Sequence, residues 1–440
     1  MLVQKPAQMN KLESYKGPFE PDFRLERLTR AALGRLGREY MLFGHLHDRG
    51  IMPLVASRFG SKAMTDVACD EWIGSSPIYN QRIRDQLGIQ GDGVSAILKG
   101  LQLDVGFPHQ YMDVGYEVID ESRGYFWLDH CGAFKDVYKH SGGKEAAIIQ
   151  LCHHMEDTTF DATVTAVNPH ARCLAEHRPP LQIGQTGPTC RWRVVIVPDA
   201  AAVEELEITR RIRRTRAANF EYAELEDGSG EGMLDYRGPL KPDFVLEDLA
   251  QPVLARQCKE FALDVHLLMR AAFMSIRERW GEKVAAEVAP EHWAALAPVY
   301  IPRVRAALGI EGDNMASILK TLQLDPAFPH GYVRLGSELV DGNHGRFWIE
   351  ECEAFAAGEP DAWLALLEEP EGPGFDAVVA AVNPRARCRP VRPDEVQTAG
   401  RKIHLAWEIR IDEASEPRQE SPLANIVRAS NAHSFAFSLR

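Results

Sequence analysis

Histidines that could bind a metal or transfer protons are concentrated in the first half of the chain. Neutral imidazole is the usual protein ligand for zinc, iron, copper and nickel, and it also titrates near neutral pH. Among the 15 histidines of this 440-residue chain, six in the first half are candidates for such chemistry. They are His47, His130, His153, His154, His170 and His177.

The distribution is informative because the chain contains two similar copies of one sequence. Residues 15–18 (Tyr-Lys-Gly-Pro) return as residues 236–239 (Tyr-Arg-Gly-Pro), an offset of 221 positions. After a six-residue deletion the offset becomes 215, which relates Trp192 to Trp407. His45 recurs as His266, which favours a structural role for that pair. The second copy replaces the six candidates, in order, by Leu268, Glu351, Glu368, Glu369, Arg385 and Arg392.

Four residues of the first copy could form a metal site. His130 ends a predicted strand, and His177 ends a later one. His153 and Glu156 are spaced i, i+3, which places them on one helix face if that helix persists. Three imidazoles and a carboxylate suit a divalent metal, zinc or iron, with an open coordination position. The alternatives are scattered surface histidines in a copy that diverged, or metal-free acid–base chemistry by the same residues.

Neighbouring acids and bases would move protons in such a site. Tyr111, Phe126 and Trp127 would suit a small organic substrate, including an aromatic one. The candidate proton-transfer residues are His154, Asp157, His47 and Asp48.

The elements that must position these residues follow one order in each copy, helices first and strands afterwards. Leucines recur at helical spacing from residue 25, and Pro53 should kink or end that helix. Asp92 and Asp313 are predicted N-caps of a short helix. A β-hairpin is predicted over residues 111–119 and 124–131, with further strands at 171–176 and 191–197. Helices are expected at residues 62–87, 144–154, 160–167 and 202–216.

We therefore expect an α+β protein made of two tandem modules. Each module has an N-terminal helical part followed by a small antiparallel sheet with packed helices. The first repeat, residues 1–232, is the candidate catalytic module, and residues 233–440 form a degenerate supporting repeat. The Gly- and Ser-rich stretch at 228–232 is the expected linker. A pseudo-twofold axis would make the chain an intramolecular pseudo-dimer, which could also form a homo-oligomer.

The composition of the chain argues against several classes of binding partner and cellular location. The formal net charge of −13 argues against nucleic acid as a partner. No apolar run is long enough to span a membrane, and the N-terminus lacks a signal-peptide core. The eight cysteines have no CxxC pair, so reduced thiols and a cytoplasmic location are expected.

Several short strings together resemble the L-2-amino-thiazoline-4-carboxylic acid hydrolase-like proteins, over most of each copy. The strings are Leu-Gly-Ile-Gln-Gly-Asp at 87–92, His-Cys-Gly-Ala at 130–133, Cys-His-His-Met-Glu-Asp at 152–157 and His-Arg-Pro-Pro at 177–180. The resemblance implies attack of water on a ring C–N or C–S bond.

The expected function is that of a metal-assisted hydrolase or lyase acting on a small organic molecule, with its site in the first repeat. A C–C or C–O lyase would release products whose masses sum to that of the substrate. The alternatives are a metal-free acid–base lyase, and a protein that binds or senses a small molecule without turnover.

Overall fold

The chain is described by a computed structural model that covers residues 11–180, 186–225, 231–356, 363–367, 374–396 and 400–429. The expected linker at 228–232 therefore lies outside the described residues except for its last two positions. The counterparts of His153 and His154, which are Glu368 and Glu369, also lie outside them.

The first half begins with two long helices. The Thr29 side chain caps the first of them by accepting a hydrogen bond from the backbone of Ala32. Gly60 ends that helix at a φ of 90°, a conformation that favours glycine, and the second helix begins directly after it. The helices and strands of this half are α1 (Arg30–Phe59), α2 (Ser61–Gln86), α3 (Val94–Leu101), β1 (Met112–Asp120), β2 (Arg123–Cys131), α4 (Gly132–Ser141), α5 (Glu145–Ile149), a π-helix (Gln150–Met155), α6 (Glu156–Val167), β3 (Ala171–His177), β4 (Cys190–Ile196) and α7 (Glu207–Arg213).

The second half has the same succession of long helices and strands. Gly281, at a φ of 86°, separates its two long helices in the way that Gly60 does in the first half. The elements are α8 (Gln251–Trp280), α9 (Glu282–Leu308), α10 (Met315–Gln323), β5 (Leu335–Leu339), β6 (His344–Glu350), α11 (Gly374–Val382), β7 (Ala386–Val391), β8 (Ile403–Ile411) and α12 (Ala424–Ala429).

Among the residues that the structure describes, each half contains one four-stranded antiparallel sheet. The strand orders are β1-β2-β4-β3 and β5-β6-β8-β7. In the first sheet Phe126 lies opposite Trp192, and both side chains are fully buried. In the second sheet Phe347 lies opposite Trp407 at the same place in the order. Mixed helices and antiparallel sheets confirm the predicted α+β class.

The long helices of the two halves pack together, with α1 contacting α8 and α9 and α2 contacting α8. Their apolar side chains belong to one continuous core that includes residues of both halves. None of the helices among the described residues is long and apolar enough to cross a membrane.

The predicted hairpin and later strands are confirmed within a few residues, whereas several helix predictions need correction. Helix α1 does not end at Pro53 but continues to Phe59. The short helices are preceded by Gly93 and Asn314 as N-cap residues, and not by the predicted Asp92 and Asp313. The predicted 144–154 and 160–167 helices run together through the π-helix, and the predicted 202–216 helix is shortened to α7. Helix α4 was not expected at all.

Candidate functional site

A cavity of about 580 Å³ lies in the first half, a size typical of small-molecule sites. Helices α1, α2, α4 and α6 contribute to its wall, together with the π-helix and the end of β2. Ile426 of α12 also lines it, so one wall residue comes from the second half. Most of the lining is apolar and includes Met52, Met64, Trp72, Phe107, Leu128 and Phe160.

Asp48 on α1 is one of three carboxyl groups that line this wall, together with Asp136 and Glu156. Its Oδ2 atom accepts a hydrogen bond from Nε1 of Trp72 at 3.3 Å. Burial raises the pKa of Asp48, whereas hydrogen bonds from Trp72 and the neighbouring Glu71 oppose the rise. Glu71 is fully buried, and burial together with the Asp48 charge raises its pKa well above the usual range. Neighbouring carboxylates disfavour each other's ionisation, and burial adds to this effect most strongly at Glu71, so Asp48 is the more acidic of the two.

Glu156 also lines the wall, and it stands where the π-helix passes into α6. Its Oε2 atom is buried and has no hydrogen-bond partner among the described residues. Burial raises the pKa of Glu156 to about 8, even though the nearby Arg178 lowers it. Glu156 is therefore protonated at neutral pH and can donate a proton to a bound molecule.

His45, on the same helix as Asp48, adds a neutral imidazole to the lining. Its Nε2 atom lies 2.9 Å from the carbonyl oxygen of Gly106, to which it donates. Burial and the charge of Arg49 lower the pKa of His45 to about 4. The ring is neutral at neutral pH, with its proton on Nε2 and an acceptor at Nδ1.

Arg49 gives the cavity wall a compensated positive charge. It forms an ion pair with Asp136 of α4, and Tyr111 donates a hydrogen bond of 2.7 Å to the same carboxylate oxygen. The guanidinium carbon also lies 4.8 Å from the centre of the Tyr111 ring. This cluster fixes α4 against α1 and supplies a polar part of an otherwise apolar wall.

The residues predicted to bind a metal contact different groups of the protein. Nε2 of His153 lies 2.9 Å from the Pro179 carbonyl oxygen, and Nε2 of His177 lies 2.9 Å from that of Pro188. Nδ1 of His130 lies 2.7 Å from Nζ of Lys135. Only Glu156 lines the cavity. Within the described ranges, no three His, Cys, Asp or Glu side chains are grouped as metal ligands would be, and the metal site stays a prediction.

Of the predicted proton-transfer residues, only Asp48 lines the cavity. His47 is fully buried outside the cavity lining, where it contacts Glu71 and His292. His154 and Asp157 are exposed, and Asp157 forms an ion pair with Arg178.

The predicted substrate aromatics do not line the cavity, and several residues that do were not anticipated. Tyr111 and Phe126 are fully buried in the core, and the Trp127 indole donates to Asp129 on the same strand. The recurrence of His45 as His266 favoured a structural role, but His45 lines the cavity. Its spacing of i, i+3 and i, i+4 from Asp48 and Arg49 was the available signal, since it places the three side chains on one helix face.

The corresponding place in the second half is filled. Trp363, which is 1% exposed, donates from Nε1 to Nδ1 of His266 at 3.1 Å. Its ring stacks on Trp293 with centroids 5.3 Å apart and an interplanar angle of 28°. His266 and Trp293 stand 221 positions after His45 and Trp72. Met269 takes the position of Asp48, so among the described residues this place holds the Trp363 ring and has no carboxyl group at the position of Asp48.

Comparison with known proteins gives no assignment: no family model matches this chain, and neither the curated proteins nor the solved structures contain a significant match.

Proposed function

We propose that the cavity of the first half is the active site of an enzyme that performs general acid–base chemistry on a small, largely apolar organic molecule. The observation that carries the proposal is that Asp48 and Glu156, from different helices, line one mostly apolar cavity. Burial raises the pKa of both groups, but hydrogen bonds hold the pKa of Asp48 below that of Glu156. Paired carboxyls with separated pKa values suit one base and one acid at the same pH.

The two carboxyl groups can support either hydrolysis or elimination. In hydrolysis, ionised Asp48 would take a proton from water as its oxygen attacks, and Glu156 would protonate the leaving nitrogen, oxygen or sulfur. In elimination, Asp48 would take a proton from carbon, and Glu156 would again protonate the leaving group. Product masses distinguish the reactions, because only hydrolysis adds the mass of water.

Substitution of the two carboxyl groups tests the proposal. A panel of small cyclic and acyclic C–N, C–S and C–O compounds identifies a turned-over substrate. Asp48→Asn and Glu156→Gln should then each lower kcat/KM by about 10²- to 10⁴-fold. His170→Ala is the control, because that imidazole lies outside the cavity and contacts the carbonyl of Ala200. Full activity in both carboxyl variants contradicts the proposal, and saturable binding without turnover indicates a binding or sensing protein.

A metal-assisted version of this reaction is the second candidate. It is favoured by the backbone contacts of Nε2 in His153 and His177, because such contacts fix the tautomer of a metal-binding histidine. In this version a divalent zinc or iron ion would be held by residues among His130, His153, Glu156 and His177. Metal analysis of the purified protein tests it. About one ion per chain, lost in a His130→Ala, His153→Ala double variant, supports the metal. The metal-assisted version is contradicted if the purified protein contains no metal and does not bind added zinc or iron.

We also propose that the two halves arose by tandem duplication and pack about a pseudo-twofold axis. Reciprocal contacts support this, since a twofold interface joins the same two positions twice. The backbone amide of Tyr15 donates to Leu308 at 2.8 Å, and that of Tyr236 donates to Leu87 at 2.7 Å. Three further pairs of contacts are related by the same offset: Arg38–Glu247 and Lys259–Glu26, Arg82–Glu260 and Arg303–Glu39, and Lys99–Tyr236 and Lys320–Tyr15.

In this arrangement the second half is a supporting partner. Trp363 occupies the place of a ligand there, whereas Ile426 from the same half reaches the cavity of the first.

All eight cysteines fall in the described part of the chain and are free thiols, which supports a reducing compartment such as the cytoplasm.

A further inference from the structure

The environment of Trp363 shows how the second half accommodates an aromatic ring that carries an N–H donor. The indole ring is almost completely buried, and its N–H is bonded to Nδ1 of His266. One face contacts Trp293, and the Phe273 ring lies nearly parallel at 6.4 Å with an interplanar angle of 17°. A flat ring with one hydrogen-bond donor is thus fully accommodated by an imidazole acceptor and aromatic neighbours.

The first half has counterparts of the two residues that contact the Trp363 ring, but among the described residues its cavity contains no such ring. His45 and Trp72 correspond to His266 and Trp293 at an offset of 221, and both line the open cavity. Their mutual placement is defined, with ring centroids 5.7 Å apart. Met52 corresponds to Phe273 and also lines the cavity.

Both residues are held in the states that such a ring requires. The contact between Nε2 of His45 and the Gly106 carbonyl leaves Nδ1 as the acceptor, the atom that Trp363 uses on His266. No described residue donates to Nδ1 of His45. Trp72 is anchored by its own bond to Asp48, which fixes the plane of its ring. A molecule bound here would therefore meet a preformed acceptor and a preformed stacking surface.

We propose that the first-half cavity binds a planar heteroaromatic ring of indole size that carries an N–H donor. The ring stacks on Trp72 and donates its N–H to Nδ1 of His45, in the place that Trp363 takes in the second half. This inference rests on the proposed function in that it names the substrate class of the same cavity. The hydrogen bond between Trp72 and Asp48 places the proposed base beside the bound ring.

Binding of two matched probes to the full chain tests the inference. Indole carries the N–H, whereas 1-methylindole has the same ring system without the donor. Calorimetric titration of the wild type should show binding of indole about tenfold or more tighter than that of 1-methylindole, because a buried acceptor left unpaired weakens binding. His45→Leu should weaken indole binding about tenfold and remove the preference between the probes. His170→Ala should retain the wild-type preference.

A second variant makes the test independent of how well His45→Leu folds. Trp363→Gly removes the internal indole, and added indole should restore thermal stability more than 1-methylindole does. Rescue of Trp363→Gly together with no indole binding by the wild type would overturn the inference, because the first-half cavity would then lack the recognition seen in the second. Equal binding of both probes by the wild type would also overturn it.

These outcomes are distinct from failure of the acid–base proposal. Indole binding with the stated preference, combined with full activity of Asp48→Asn and Glu156→Gln, would leave the ring site standing and remove the catalytic assignment. Loss of activity in those variants without a preference for indole would do the reverse.

Discussion

Nδ1 of His47 lies 3.0 Å from Nε2 of His292, so that one imidazole from each half meets its partner in the interior of the molecule. Both side chains are buried, and burial lowers the pKa of each, which keeps the pair neutral. Nε2 of His47 also lies 3.4 Å from the Glu71 carboxyl group. His292 stands 221 positions after Glu71, and Leu268 stands 221 positions after His47, so the cluster is asymmetric across related positions. It connects the second half to the Asp48–Glu71 pair at the cavity.

Because Nδ1 of His47 and Nε2 of His292 are hydrogen-bond partners, we expect the energetic contributions of the two residues to be coupled. His47→Leu leaves His292 without its partner and should lower the free energy of unfolding by about 1–3 kcal/mol. The double variant His47→Leu, His292→Leu should be less destabilised than the sum of the two single variants, since no buried nitrogen is then left unpaired. Urea unfolding of the four proteins in the cycle measures this coupling. Strictly additive effects would show that the 3.0 Å contact carries no energy.

Glu156 should make stability depend on pH. Its folded-state pKa is raised to about 8, above its usual value of 4.5, because burial disfavours the charged form. Below about pH 4.5 both states are protonated, and between the two pKa values the folded state binds one more proton than the unfolded state. Stability should therefore fall as pH rises from about 5 to 8, by up to about 1.4 kcal/mol per pH unit from this group.

The matched control for that prediction is Glu156→Gln, which cannot ionise. Urea unfolding at pH 6 and pH 8, after dialysis against a chelator, should show a smaller pH dependence in this variant than in the wild type. Parallel pH dependence in the two proteins would mean that the Glu156 carboxyl is solvated and has an ordinary pKa.

The activity of the proposed enzyme should have a bell-shaped pH profile. The alkaline limb of kcat/KM should lie near pH 8, where Glu156 loses its proton. The acidic limb should lie above the ordinary range of carboxyl groups, because burial raises the pKa of Asp48. Steady-state rates from pH 4 to 10 measure both limbs, and Glu156→Gln should lose the alkaline one. Retention of that limb in the variant would assign it to another group.

The two reciprocal arginine–glutamate pairs should differ in strength despite their related positions. Glu260 is fully buried beside Arg82, which also donates to the carbonyls of Ala218 and Phe220. Glu39 is 16% exposed beside Arg303. Arg82→Met leaves a buried carboxylate unpaired and should cost about 3–5 kcal/mol, whereas Arg303→Met should cost less because Glu39 can be hydrated. Chemical unfolding of the two variants provides the comparison, and equal losses would contradict it.

The sequence predicted local structure well wherever periodicity decided it. Alternating aromatics between residues 111 and 131 predicted the β1–β2 hairpin, and Trp192 was correctly placed on a later strand. Helix α2, at Ser61–Gln86, was predicted one residue away at either end. Pro53 was predicted to kink or end α1, and it does not end the helix, which continues through it while packed against α8 and α9. Tertiary packing there outweighs the local cost of the missing hydrogen bond.

The candidate site was harder to predict because its residues converge only through tertiary packing. Asp48 and Glu156 were both nominated, yet as parts of different roles, since nothing local indicates that α1 and α6 share a cavity. His153 and Glu156 were expected on one helix face. The intervening π-helix changes that phase, and His153 contacts Pro179 instead. Subtracting one copy from the other favoured the six unshared histidines and a structural role for His45, although a recognition residue kept in both copies is also what two related pockets should share.

The Trp363 side chain fills the place in the second half that corresponds to the cavity of the first, so we expect the stability of the protein to depend on it. Removing it by Trp363→Ala leaves a void among Phe273, Trp293 and His266, and should cost about 3–5 kcal/mol of unfolding free energy. Trp363→Phe keeps most of the packing but not the N–H donor, so it should cost less, with the remaining loss reporting the bond to His266. Thermal and urea unfolding of both variants measure the two parts. If Trp363→Phe were as destabilising as Trp363→Ala, the hydrogen bond to His266 would contribute more to stability than the packing of the ring. The strength of the N–H donor would then be the main requirement for a molecule bound at His45.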